Sequence, residues 1–84
     1  MTYEVFILRR AQKQLGKIPT KAYELLKEEI FNLASDPRPL GSKKLIGREG
    51  WRIRVGQYRI IYEVDDSKRS VTVLDIGHRK EIYL

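Results

Sequence analysis

The chain has 84 residues, enough for one small domain with a modest core. Seventeen Lys and Arg against eleven Asp and Glu leave a formal charge of +6, which points to nucleic acid or an acidic protein as partner. With no cysteine, and with His78 as the one histidine, the chain offers no disulfide framework and no thiolate or histidine-rich metal site, so neither metal nor cofactor is expected.

Residues 2–8 (Thr-Tyr-Glu-Val-Phe-Ile-Leu) are rich in β-branched and aromatic side chains and predict a first strand. From Leu8 the period changes. Leu8, Ala11, Leu15 and Ile18 recur at helical spacing, and Gly16 and Pro19 bracket the end of a short helix. A second helix is predicted from about Thr20 to Ala34, with an apolar stripe of Ala22, Leu25/Leu26, Ile30 and Leu33, closed by Pro37. Residues 36–42 form a loop by composition, and residues 43–50 lead into a hairpin as a solvated segment. Asp65-Asp66-Ser67-Lys68 is a second turn. Val71–Ile76 reads as a final strand buried on both sides, followed by a tail over 77–84. Nothing separates these elements into two units, so residues 1–84 are one domain. The expected class is α+β in the order β-α-α-β-β-β, a mainly antiparallel sheet with two N-terminal helices packed on one face. No apolar run approaches the roughly 20 residues of a membrane span, and the N-terminus has no secretion pattern. A cytoplasmic protein without membrane contact is expected.

The hairpin carries the sharpest signal. Trp51-Arg52-Ile53-Arg54-Val55 alternates apolar and basic residues, and Tyr58-Arg59-Ile60-Ile61-Tyr62 resumes the pattern. Gly56-Gln57 between them fits a two-residue type II′ turn, whose first central position favours glycine because φ is positive there. That turn pairs Val55 with Tyr58, Arg54 with Arg59, Ile53 with Ile60 and Arg52 with Ile61. Trp51, Ile53, Val55, Tyr58, Ile60 and Tyr62 then share a core face, while Arg52, Arg54 and Arg59 share the other. Like charges set opposite each other destabilise a sheet, so the arrangement calls for an anion, and a phosphodiester is the obvious one.

Arginine suits a phosphate because its planar fork donates two bonds at once, but its pKa above about 12 makes it a poor proton acceptor. His78 is the one side chain of a type that titrates near neutrality. The residues alone also permit plainer assignments. Arg59 can pair with Glu63, Arg79 with Glu81, Tyr83 can cover the end of the core, and His78 can simply pack. Lys43, Lys44 and Arg48 form either a solvated loop or a track for RNA phosphates.

The order of elements, the stretch Arg52 to Tyr62, Leu-Ile-Gly at 45–47 and Ile-Gly-His-Arg-Lys-Glu-Ile-Tyr at 76–83 together resemble the RelE/ParE superfamily of bacterial and archaeal toxins, most of all its RelE branch. The resemblance covers essentially the whole chain. It implies a toxin that cleaves messenger RNA in the ribosomal A site without a metal, neutralised by a cognate acidic antitoxin, with operator DNA bound only through the toxin–antitoxin complex. It also implies roles for individual residues. Arg52 and Arg54 stand where the branch has basic residues before the turn, and Arg59 stands at the phosphate-stabilising arginine. Arg79 matches the residue acting on the leaving group, and Tyr83 a tyrosine that positions a base. A histidine near His78 serves as acid in some relatives. Arginines replace the lysines that the best-known member carries at the positions of Arg52 and Arg54. Within the same superfamily, a ParE-like poison of DNA gyrase without nuclease activity is the alternative, and an inactive RNA-binding module a third.

Overall fold

Each element forms where the sequence gives one face to bury. In the computed structural model, which describes residues 2–78, strand β1 spans Glu4–Ile7, shorter at both ends than the 2–8 predicted. Val5 and Ile7 pack on the core, and Glu4 and Phe6 point away from it. Helix α1 (Arg9–Gly16) buries Ala11 and Leu15, one turn apart. Helix α2 (Thr20–Asn32) buries Leu26 and Ile30, and Leu33 continues the stripe just past its end. Leu25, grouped with Leu26 in the predicted stripe, is on the wet side at 57% exposure. Neither helix is long and apolar enough to cross a membrane.

Four more strands follow: β2 (Lys43–Lys44), β3 (Trp51–Val55), β4 (Tyr58–Asp65) and β5 (Ser70–His78). They form a five-stranded sheet in the order β1-β5-β4-β3-β2, with β1 parallel to β5 and every other pair antiparallel. Both helices cover one face. Ala11, Leu15, Leu26, Ile30 and Leu33 meet Ile53, Ile60, Tyr62, Val71, Val73 and Ile76 there. Each buried Leu, Ile or Val among them contributes roughly 1.5–3 kcal/mol.

Three expectations need correction. Lys43 and Lys44, read as a loop, form an edge strand against Arg52 and Trp51. Two charged residues carry no periodicity, and only the partner strand makes them a strand. β5 does not end at Ile76 but runs on to His78, because the long β4 offers ladder partners in Tyr58 and Arg59. Nor is β5 buried on both sides: Val71, Val73 and Ile76 are buried, and the residues between them are half-buried. A bulge interrupts its ladder, Ile61 opposing Asp75 and Tyr62 opposing Val73, so Leu74 is the extra residue.

Two glycines are obligatory. Gly56 opens the hairpin turn at φ 61°, and Gln57 is not at positive φ, which makes the turn type II′ as predicted. At Gly50, φ is 125°, and a Cβ would lie 3.1 Å from both Leu45 Cδ1 and the Tyr62 carbonyl oxygen.

Candidate nucleic-acid interface

The β3–β4 register is the predicted one: Val55 opposes Tyr58, Arg54 opposes Arg59, Ile53 opposes Ile60, and Arg52 opposes Ile61. In a two-residue hairpin the pair closing the turn is hydrogen-bonded, so Arg54 and Arg59 form the next, non-hydrogen-bonded pair, where side chains approach most closely. Two guanidinium groups therefore start from adjacent backbone positions on the face away from the helices. Arg52, two residues earlier, shares that face. A concavity of about 240 Å³ opens there, lined by Gly41, Lys43, Arg52, Ile53, Arg54 and Arg59.

The three arginines differ in exposure. Arg54 is exposed, and Arg52 and Arg59 are half-buried. Among the described residues, neither Arg52 nor Arg54 has a carboxylate within ion-pairing distance. Ile61, the β4 residue opposite Arg52, is apolar and 1% exposed.

Strand β2 brings Lys43 into the concavity by pairing it with Arg52. Lys44 is exposed on the same strand opposite Trp51, and Arg48 is exposed in the loop that follows, so neither lines the cavity. Gly41 was not singled out from the sequence. The Pro39-Leu40-Gly41 turn signal identified a loop there, but only the fold returns that loop to the arginines.

His78 is placed elsewhere. Its partner across the ladder is Tyr58, on the core face, and the two rings meet edge to face at 5.8 Å and 74°. That puts it on the opposite face from Arg52, Arg54 and Arg59. Gly77 is the residue opposite Arg59. Arg79 and Tyr83 lie outside the described residues.

The other end of the hairpin has the reverse charge. Glu49, Gly50, Trp51, Glu63, Val64, Asp65 and Asp66 line a second concavity of about 330 Å³. Beside it, Arg38 donates from Nη2 to Asp66 Oδ2 at 2.8 Å and from Nη1 to Oδ1 at 3.3 Å, with its guanidinium carbon 5.2 Å from the Trp51 ring centroid. The Tyr3 hydroxyl donates to Asp66 Oδ1 at 2.6 Å. Arg38 first, and Tyr3 second, hold the Asp66 carboxyl below the usual carboxylate range; the Asp66 hydrogen bond in turn raises Tyr3. Asp65 is lowered by the Ser67 hydroxyl and the Lys68 N–H. Tyr62 is fully buried and donates its hydroxyl to the Pro37 carbonyl at 2.8 Å; burial pushes its pKa up to about 12.

Among the described residues, no three His, Cys, Asp or Glu side chains gather to hold a metal ion.

Comparison with known proteins places this geometry in context. Residues 5–83 match the model of the ParE toxin of type II toxin–antitoxin systems, parDE. Toxin RelG of Mycobacterium tuberculosis is 31% identical over 99% of this chain and 98% of its own length. The mRNA interferase toxin RelE of Escherichia coli K12 is 31% identical over 99% of this chain and 92% of its own length. Among solved structures, the archaeal RelE–RelB complex from Pyrococcus horikoshii superposes with a TM-score of 0.85 at 30% identity, covering 98% of this chain and 100% of the other.

Proposed function

The chain belongs to the RelE/ParE family of toxins of type II toxin–antitoxin systems, and on that footing we propose that it is an endoribonuclease that cleaves messenger RNA on the ribosome. One observation carries the reading: Arg52, Arg54 and Arg59 line a single open concavity, and Arg52 and Arg54 have no carboxylate partner among the described residues. A phosphodiester fits such a site in charge and in donor geometry.

The chemistry is transfer within the RNA strand. The ribose 2′-oxygen attacks the adjacent phosphorus, the bond to the 5′-oxygen breaks, and a cyclic phosphate and a free 5′-hydroxyl result. Negative charge builds on the phosphoryl oxygens as the bonds change. Fixed guanidinium groups aimed at those oxygens stabilise that charge more than they stabilise the ground state. Arg54 and Arg59 hold the phosphoryl group from adjacent strands. Arg52 positions the ribose side and favours loss of the 2′-hydroxyl proton electrostatically. Arg79 serves the leaving group and Tyr83 a base, on the family likeness alone. His78 is dropped from this set, because its face is turned away from the arginines. Lys43 extends the phosphate track, and Lys44 and Arg48 add a weaker, salt-sensitive attraction. The reaction is read as metal-independent on the family likeness, with the guanidinium groups carrying the charge stabilisation.

The partner is a cognate antitoxin, as in the RelE–RelB complex from Pyrococcus horikoshii. An acidic chain laid over the concavity would both block it and relieve the repulsion between Arg54 and Arg59. Operator DNA is bound through that complex, and the site of action is the cytoplasm.

The test is induced expression followed by primer-extension mapping of a translated message. Breaks within codons that disappear in Arg59→Ala and Arg79→Ala support the nuclease. Intact message with DNA breaks at gyrase sites would transfer the chain to the ParE-like reading.

A further inference from the structure

Strand β5 outruns the strand beside it. The parallel ladder with β1 ends at Ile7 opposite Val73, and the Leu8 N–H closes it on the Val73 carbonyl at 3.0 Å. From Leu74 to His78, β5 has β4 on one side and no strand of the described residues on the other. This segment begins at the bulge and ends beside Arg59, since Gly77 is the residue opposite that arginine.

A side chain stands in for the missing strand. Gln14 of α1 accepts the Ile76 N–H on Oε1 at 2.7 Å and donates from Nε2 to Asp75 Oδ1 at 2.7 Å. Arg10, one helical turn earlier, reaches Asp75 Oδ2 at 3.4 Å. A primary amide suits this position because it offers an acceptor and a donor together. A carboxylate would face Asp75 with like charge, and an apolar side chain would leave the Ile76 N–H unpaired.

The location matters because a bulge has alternative registers. If the bulge were lost, or its extra residue moved from Leu74 to beyond His78, Asp75 to His78 would each slip by one partner and exchange faces. His78 would leave Tyr58, and Gly77 would no longer stand opposite Arg59. Gln14 grips the two residues immediately after the bulge and so fixes which residue is the extra one.

We propose that Gln14 is a positioning residue. It pins the register of β5 so that the side-chain-free Gly77 stays beside Arg59, leaving room there for the phosphate. This rests on the nuclease reading, and it acts through β5 without Gln14 touching RNA.

Two kinds of measurement on the full chain separate the pin from the nuclease. Hydrogen exchange at the Ile76 amide and the Tyr58–His78 ring contact by NMR report the register. Steady-state cleavage on programmed ribosomes reports kcat and KM. Gln14→Ala and Gln14→Glu should speed Ile76 exchange by about tenfold or more while leaving Val71 alone. They should lower kcat by up to about a hundredfold, the cost of a misplaced reacting group, with KM unchanged. The double variant Gln14→Glu/Asp75→Asn reverses the donor and acceptor and should restore both readouts. Unaltered Ile76 exchange in Gln14→Glu, or a folded double variant that restores neither readout, overturns the pin. Faster exchange with unchanged kcat overturns the positioning role. If the unmodified protein cleaves no message, the nuclease reading fails while the exchange and ring-contact data still decide whether Gln14 sets the register. Should Gln14→Ala not fold, the Glu variant and its rescue carry the decision.

Discussion

Arg38 and Arg54 stand near opposite ends of strand β3 and are treated in opposite ways. Arg38 lies over Trp51 at the start of the strand, with both its terminal nitrogens on Asp66 and a tyrosine hydroxyl completing the carboxylate. Arg54, near the turn, faces another arginine and has no carboxylate among the described residues. The fold is therefore able to satisfy a guanidinium from its own side chains. Glu49, Glu63, Asp65 and Asp66 gather at the Arg38 end, while Lys43, Arg52, Arg54 and Arg59 gather at the other. The cations thus divide into one that holds a loop and a group around the concavity, which the proposed function gives to an outside anion.

The largest effect should break along that division. Arg59→Ala is expected to lower message cleavage by about a hundredfold to a thousandfold, the usual cost of removing one preorganised donor to a developing charge. Arg38→Ala should leave the rate within a few-fold while lowering the melting temperature. Single-turnover cleavage measured beside thermal melts checks both. Equal losses of rate in the two variants would erase the distinction.

The loop from Asp36 to Ser42 has a second anchor in Tyr62, and this sharpens the comparison. Tyr62→Phe removes the hydroxyl that satisfies the Pro37 carbonyl, at an expected cost of about 1 kcal/mol in denaturant unfolding. The sign of its pH effect follows from burial. A phenol whose folded pKa is raised from 10.0 to about 12 favours the folded state fully below pH 10, and that contribution is lost as pH rises toward 12. The Phe variant should therefore lose less stability over that alkaline interval than the unmodified protein.

Arg54→Ala should move stability the other way. Removing one of two opposed like charges is expected to stabilise the hairpin by about 0.2–1 kcal/mol at low salt, with the gain shrinking as salt rises. A residue whose loss stabilises the protein while abolishing cleavage is the signature of a site organised for function. A destabilised Arg54→Ala would mean that its side chain is needed for packing, and the contrast with Arg38 would fail.

Much of this was legible in the residues. The hairpin register, its type II′ turn and the sorting of arginines from core residues follow from a two-residue turn and a period of two, which together leave no freedom once Gly56 is placed. The helices announced themselves through Ala11, Leu15, Leu26 and Ile30. What was not legible depends on contacts remote in sequence. Lys43 becomes a strand residue only because Arg52 pairs with it, and Gly41 joins the concavity only because its loop folds back. Leu74 has nothing in its own identity to mark a bulge; the position is set by Gln14, some sixty residues away, holding Asp75 and Ile76. Arg38 had no signal either, since its partner Asp66 lies in a different turn and looked like turn chemistry alone.

The smallest expected effect tests the Arg38 end by acid. Asp66 is held below the ordinary carboxylate value of 3.8 by Arg38 and Tyr3, so the folded state releases its proton more readily than the unfolded chain does. Stability from this source is complete well above the unfolded value of 3.8 and disappears as pH falls through the lower folded value. Asp65 contributes with the same sign through Ser67 and Lys68. Both carboxylates are solvent-facing, so the effect should be weak and screened by salt. Arg38→Ala should shallow the acid limb of the melting curve at low salt and make little difference to it at high salt. Arg54→Ala should leave the slope of that limb unchanged, because no carboxylate among the described residues depends on it. If the two variants flattened the limb alike, the acidic residues would be answering to the net charge of the whole molecule. Arg38 would then not be their particular partner, and the two ends of the hairpin would no longer be electrostatically separate.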